Sequence, residues 1–378
     1  MKRSNSETAP RVALLMHAFA GGGAQRVMVR LANQFVELGI ETVMVVGSAT
    51  GPLASEVSPS VRVVDLGATT PLKGLLRFAR FLRREHPDAV LSTLNDANVA
   101  ALVAAKISRY QGPVVVRVAA DLAQAIELTP PWWERLTIRA FRLLAGAAHK
   151  VVAVSDGVAS SLVDHMHLDP ELVTAIHNPV DRGAIEAELS NPHPLPFTGP
   201  FFLSVGRLDH EKDMATLIEA YGHIASDTQA SLLILGEGPE RTRLENLAAR
   251  LGIGERVHMP GFDPNPFPSM AACEAFVLSS RVEGYPNVIL EALTCGAKVV
   301  ATNARSGTAE ALGSGALGTL VEVGDSRSLG LAMLDAPDLT RDEAAITDHL
   351  DRLAPEAVAR RYLDVLSIDE QPRRDSVD

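Results

Sequence analysis

Short apolar runs alternate with longer stretches of helical periodicity along nearly the whole chain, and no other feature narrows its fold as far. In the front half, strand-like runs fall at 11–16, 42–46, 61–65, 89–91, 114–118, 150–154 and 173–176. Helical patterns cover 24–38, 72–84, 97–107 and 132–147, and a further helix opens at Ser155. A second series of runs follows at 201–205, 231–235, 275–278, 298–301 and 319–321, with a short strand and turn at 256–262. Continuous apolar strands separated by helices are the pattern of parallel sheets buried on both faces and closed by right-handed crossovers. At 378 residues the chain has room for two cores of ordinary size. A segment with four prolines, SNPHPLPFTGP at 190–200, separates the two series. The expected class is therefore α/β with two Rossmann-like domains. A disordered leader spans 1–10, a first domain 11–189, a linker 190–200, a second domain 201–354 and a disordered tail 370–378.

Within the second series, residues 279–302, SSRVEGYPNVILEALTCGAKVVAT, read as a loop, a helix opening near Asn287, and a strand. A helix start leaves amide N–H groups without intrahelical acceptors and carries a partial positive charge. The amides at Asn287 and Val288 therefore suit a phosphate or diphosphate. Glu291 falls one turn further along, on the face of Asn287, where a carboxylate accepts two hydrogen bonds from the vicinal hydroxyls of a ribose. Glu283 hangs in the loop ahead of the helix, and a sugar nucleotide fits this set better than free phosphate. Upstream, the run 201–205 leads into GRLDHEKD, with Gly206 and Arg207 at the carboxyl end of a strand and Lys212 near the next helix start. Open parallel sheets collect ligands at that edge, and both cations have the reach to neutralise a diphosphate.

These strings carry a family resemblance. EGYPNVILEALTCGAKVVAT resembles the Glu-x7-Glu signature of group-4-type retaining glycosyltransferases, whose two Rossmann-like domains face a cleft in the GT-B fold, and GRLDHEK is similar to their Gly-Arg…Lys donor motif. The resemblance implies metal-independent, retaining transfer of a sugar from a nucleotide-diphosphate sugar to an acceptor hydroxyl, with no cofactor beyond that donor. Arg207 and Lys212 would stabilise the departing diphosphate, Glu283 would hold donor-sugar hydroxyls near the anomeric carbon, and Glu291 would hold the ribose. It also implies that HNPVD, 177–181, leads out of the first domain and that a helix within 355–369 crosses back to it. An epimerase or a phosphorylase on the same scaffold stays open, as does a catalytically silent scaffold that binds a nucleotide sugar. A dehydrogenase is disfavoured, because GGGAQR lacks the G-x-G-x-x-G spacing and TVMVVGSAT lacks the acid that would hold a ribose.

The front half offers weaker candidates. In the loop HAFAGGGAQR, Gly21, Gly22 and Gly23 permit positive φ and a close backbone approach, so Gly22 and Gly23 are expected to face a phosphate. The loop is similar to the Gly-Gly-Ala-Glu-Arg loop of the same family, with Gln25 in place of the glutamate. The family's histidine in the loop after the 114–118 strand is replaced by Ala119 and Ala120, which leaves Arg117 and Asp121 as polar candidates there. His17 lies after the first strand. Asp164, His165, His167 and Asp169 crowd one helix end, but their spacing splays the side chains apart and argues against a metal.

Charge divides unevenly. Residues 1–185 hold 19 Lys and Arg against 16 Asp and Glu, and the remainder 16 against 30, for a net charge of -11. So acidic a rear half argues against nucleic-acid binding, while the front half can face anionic lipid or a phosphate-bearing acceptor. Two of its helices read as basic and amphipathic. PLKGLLRFARFLRRE carries Arg77, Arg80 and Arg84, and PWWERLTIRAFRLL sets Trp132 and Trp133 beside Arg135, Arg139 and Arg142. From them follows the expectation of peripheral contact with an anionic membrane and of a glycan or lipid-linked acceptor in cell-envelope synthesis. No apolar run approaches the roughly 20 residues of a membrane span, and the N-terminus lacks a hydrophobic signal region. A cytoplasmic location is expected, with Cys273 and Cys295 as reduced core thiols.

Overall fold

The computed structural model describes residues 9–70, 72–127, 131–191 and 197–369. The chain folds into two compact units. One comprises residues up to Pro179 together with those from Pro355 onward, and the other is Val180–Ala354.

The front unit is a seven-stranded parallel sheet of β1 (Arg11–Ala18), β2 (Glu41–Ser48), β3 (Arg62–Asp65), β4 (Ala89–Thr93), β5 (Val114–Val118), β6 (Lys150–Ala153) and β7 (Val173–Ala175), in the order β3-β2-β1-β4-β5-β6-β7. Val12 to Met16 and Val43 to Val46 are fully buried, because helices cover both faces of the sheet and alternation is no longer needed. The helix Gly23–Glu37 turns Val27, Met28, Leu31, Ala32 and Phe35 inward. Beside it packs the helix Pro355–Val365, whose Val358, Ala359, Tyr362 and Leu363 are each at most 1% exposed within the same core.

Arg117 runs through the middle of this unit at 0% exposure. Its guanidinium donates to Tyr362 Oη at 3.1 Å, Thr93 Oγ1 at 3.0 Å and Asn178 Oδ1 at 2.5 Å. Burial lifts the Tyr362 phenol above its ordinary value, with the Arg117 charge acting against that rise. Arg117 is therefore a structural strut rather than a group available to a ligand. Asp121 is likewise occupied, accepting from Ala123 N, Gln124 N and Ser161 Oγ at 3.0, 3.2 and 2.6 Å.

The rear unit is a six-stranded parallel sheet of β8 (Phe201–Val205), β9 (Ser231–Leu235), β10 (Val257–Gly261), β11 (Ala275–Leu278), β12 (Val299–Thr302) and β13 (Thr319–Val321), in the order β10-β9-β8-β11-β12-β13. The division between units falls ahead of the proline-rich segment, not at it. The helix Arg182–Glu188, capped by Asp181 through Ala184 N at 3.0 Å, packs on the helix Asn287–Thr294. Asn265 Nδ2 also donates to Glu188 O at 3.0 Å, so residues 180–189 join the rear unit. Phe197 then stacks on His258 at 4.3 Å and meets Phe201 edge-on at 5.6 Å as the chain enters β8. The leader over 1–8, the linker's 192–196 and the tail over 370–378 lie outside the described residues.

Candidate active site

In each sheet the strand order reverses once, between β1 and β4 and between β8 and β11. Loops leaving the carboxyl ends of two such strands diverge to opposite faces and open a crevice, where open α/β sheets bind ligands.

At the front reversal, His17 Nε2 lies against the carboxylate of Asp96, in the first turn of the helix Asn95–Ser108. The glycine loop differs from expectation. Gly22 is the N-cap of the helix Gly23–Glu37 at φ -75°, and none of Gly21, Gly22 and Gly23 has positive φ. The chain enters the helix from ordinary extended backbone, so the glycines supply exposure instead of an unusual dihedral. A Cβ at Gly22 would meet Gln25 Oε1 at 2.5 Å. Asp164, His165, His167 and Asp169 are not gathered into a ligand set among the described residues. Asp169 instead caps a short turn through Glu171 N at 2.9 Å.

The rear reversal joins most of the residues singled out in the sequence. Gly206 and Arg207 leave β8, and Ser279 to Glu283 leave β11 beside them. Lys212 Nζ and Glu283 Oε1 form an ion pair at 2.5 Å, with side chains only 20% and 10% exposed. The same carboxylate oxygen accepts from Ser280 Oγ at 2.6 Å. Ser280 is fully buried, and its carbonyl receives Thr302 Oγ1 at 2.6 Å. Two further bonds stitch the loops together, from Ser279 Oγ to Lys212 O at 2.9 Å and from Arg281 N to Glu211 O at 2.8 Å. Glu283 Oε1 is thus held from two sides, while Oε2 has no hydrogen-bond partner among the described residues.

Close backbone passage sets the rest of the loop geometry. A Cβ at Gly236 would stand 1.8 Å from Gly206 O, and one at Gly307 would stand 2.1 Å from Gly284 O. The second contact, with the bridge between Val282 and Arg305, fixes the segment leading into the helix Asn287–Thr294. No side chain caps that helix at its N-cap Pro286. Asn287 and Val288 open it, and Glu291 follows one turn later, as the sequence indicates.

Electrostatically the site departs from a simple positive cradle. Arg207, 70% exposed, contacts Asp209 at 2.9 Å and Glu211 at 3.1 Å, and Arg281 contacts Asp213 at 2.8 Å. With Lys212 on Glu283, each of the three cations is already partnered by an acid. Partial burial lifts the Glu211 carboxyl above its ordinary value, opposed by Arg207 and reinforced by Asp209. An incoming anion must exchange partners with Arg207 instead of meeting a free charge. Ser280, Glu211, Arg281 and Asp213 were not picked out from the sequence. The only local signal is the serine three positions before Glu283.

Two family models match the chain, "Glycosyltransferase Family 4" over residues 21–183 and "Glycosyl transferases group 1" over residues 186–344. Among characterised proteins, the chain is 36% identical over 187 residues to N-acetylgalactosamine-N,N'-diacetylbacillosaminyl-diphospho-undecaprenol 4-alpha-N-acetylgalactosaminyltransferase of Campylobacter jejuni, a match covering 50% of each protein. It is 26% identical to the lipopolysaccharide core biosynthesis glycosyltransferase LpsE of Rhizobium meliloti, over 93% of this chain and 97% of that one. Among solved structures, Anabaena HepE in complex with UDP and glucose superposes with a TM-score of 0.77 at 21% identity, covering 94% of this chain and 99% of that one. At that identity the likeness shows a shared fold.

Proposed function

Because the chain belongs to the glycosyltransferases that those two models describe, with the GT-B fold, we propose that it moves a sugar from a nucleotide-diphosphate sugar to an acceptor hydroxyl, with retention of configuration and without a metal. The observation that carries this reading is the Lys212–Glu283 pair at the β8/β11 reversal. Departure of the nucleotide leaves negative charge on its diphosphate, and only interactions stronger in the transition state than in the ground state accelerate the step. Arg207, Lys212 and the amides at Asn287 and Val288 supply that stabilisation. Glu283, with Oε1 anchored, offers Oε2 to donor-sugar hydroxyls, and Glu291 accepts from the ribose. Gly206 lets the backbone approach the diphosphate. The amides of Gly22 and Gly23 form a second anion contact in the front unit.

The acceptor is a glycan or a lipid-linked glycan of the cell envelope. Names of relatives in lipopolysaccharide core and undecaprenol-linked sugar transfer support this class. The protein works in the cytoplasm, against the inner face of the membrane. No helix among the described residues is long and apolar enough to cross a membrane.

Incubation with a panel of sugar nucleotides, with released nucleotide quantified and product identified by mass spectrometry, tests the reaction. Lys212→Ala and Arg207→Ala should each lower kcat by roughly 10²- to 10³-fold, as loss of a transition-state charge contact does. Full turnover in the double variant would refute the assignment.

A further inference from the structure

We infer that the outward face of the helix Trp132–Leu144 is a docking surface for an anionic lipid bilayer. This rests on residues of the front unit alone and not on the sugar-transfer reading. Ile138 and Phe141, both fully buried, turn this helix onto the helix Asn95–Ser108. On the opposite side Trp132, Leu136 and Leu143 are 76, 56 and 85% exposed. Separations of four and seven residues put all three on one stripe of an α-helix. Trp133 adds an indole at the stripe's margin. Arg139 and Arg142 run along its flank, exposed, and neither has a hydrogen bond or ion pair among the described residues.

The second basic helix, Leu75–Glu85, shows by contrast what an ordinary amphipathic helix does with the same composition. Its Phe78, Ala79, Phe81 and Leu82 are buried, and the two phenylalanines stack at 5.9 Å. Arg77 is engaged by the carbonyls of Leu66 and Gly67. Arg80, Arg83 and Arg84 remain exposed, with Leu76, 67% exposed, as the one large apolar side chain of that helix left outside. The expectation that both helices meet a membrane is thereby narrowed. The Leu75 helix adds charge and one exposed leucine, whereas the Trp132 helix leaves two indoles and two leucines to insert.

A bilayer is the occupant that this face fits. Exposed leucines need an apolar phase, tryptophan partitions to the boundary between headgroups and acyl chains, and unpaired arginines meet lipid phosphate. The stripe is one helix wide, which suits shallow insertion into the headgroup boundary.

Both tryptophans of the chain lie on this helix, so tryptophan emission, excited selectively over the four tyrosines, reports on this surface and no other. Phosphatidylglycerol-containing vesicles should shift the emission to the blue, and brominated lipid should quench it, while pure phosphatidylcholine vesicles leave it unchanged. In sedimentation with the same vesicles, Arg139→Glu with Arg142→Glu, or Leu136→Ser with Leu143→Ser, should weaken binding by at least about tenfold. Reversing Arg80, Arg83 and Arg84 should weaken it less. Unshifted emission from the wild-type chain, or undiminished sedimentation of both Trp132-helix variants, would overturn the inference. A blue shift that grows with protein concentration in the absence of vesicles would overturn it too, by assigning the face to a second copy.

Discussion

Arg207 shows how pairing at a single residue changes what a binding site does. Its contacts with Asp209 and Glu211 keep the guanidinium at the strand edge, but they also compete with any diphosphate for its donors. Glu211 is the weaker holder, because partial burial first and Asp209 next favour its neutral form, against the pull of Arg207. An acid with a raised folded-state pKa disfavours the folded chain once ionised, so this penalty is absent below the ordinary carboxylate value and sets in as pH rises towards the raised one. Lowering pH through that window should free Arg207 and tighten nucleoside-diphosphate binding beyond what the ligand's own titration causes. Glu211→Gln should capture the gain at neutral pH. Exposed pairs are worth little, so the expected improvement is about two- to fivefold in Kd by calorimetry, with a flatter pH profile than wild type. Equal affinities and superimposable profiles would show that Glu211 does not restrain Arg207.

At the scale of elements, the strands were legible because a parallel sheet buried on both faces leaves an unbroken apolar run for each inner strand, whereas the strand order and its two reversals appear only in the folded sheets. The stretch from Glu283 to Glu291 was legible for a related reason, since loop, helix start and acids are consecutive in the chain. Partners far apart in sequence were not. Lys212 and Glu283 are 71 residues apart and Arg117 and Tyr362 are 245 apart, and no local pattern encodes such a pairing. The glycine loop misled in another way, because glycine permits positive φ without requiring it. Gly307 is the converse case, where an ordinary-looking turn conceals an obligatory close approach to Gly284 O. Gly307→Ala must push the Gly284–Tyr285 segment away and tilt the start of the Asn287 helix. Overpacking of this kind costs about 1–3 kcal/mol. The variant should show a lowered Tm and roughly tenfold weaker nucleotide binding, at about the cost of one misplaced charge-assisted contact. Unchanged Tm and affinity would mean that the loop yields freely and does not position the helix.

For the molecule as a whole, the order in which the chain supplies its two cores matters more than any one contact. The rear unit, Val180–Ala354, is a single continuous segment whose exit and return are tied by Val180 N to Leu353 O at 2.9 Å. The front unit is split, because its sheet is complete by Ala175 while its core still lacks the residues from Pro355 onward. Those residues bring Val358, Tyr362, Leu363, Leu366 and Ile368, all buried. At roughly 1.5–3 kcal/mol for each large apolar side chain, their burial contributes on the order of 10 kcal/mol, comparable with the entire stability of a typical domain. Their absence also leaves the buried Arg117 without Tyr362, and an orphaned donor adds about 1–3 kcal/mol. The two halves of the gene should therefore behave unequally. A fragment of residues 180–354 should unfold cooperatively and give a dispersed amide spectrum. Residues 1–179 should not, until a peptide of residues 355–369 is added in trans. Tyr362→Phe in the full chain tests the same dependence more gently, and should lower the front unit's transition by about 2–4 °C while leaving the rear unit's in place. A cooperative transition in 1–179 alone, at the temperature of the intact front unit, would show that the returning helix decorates a finished core instead of completing it.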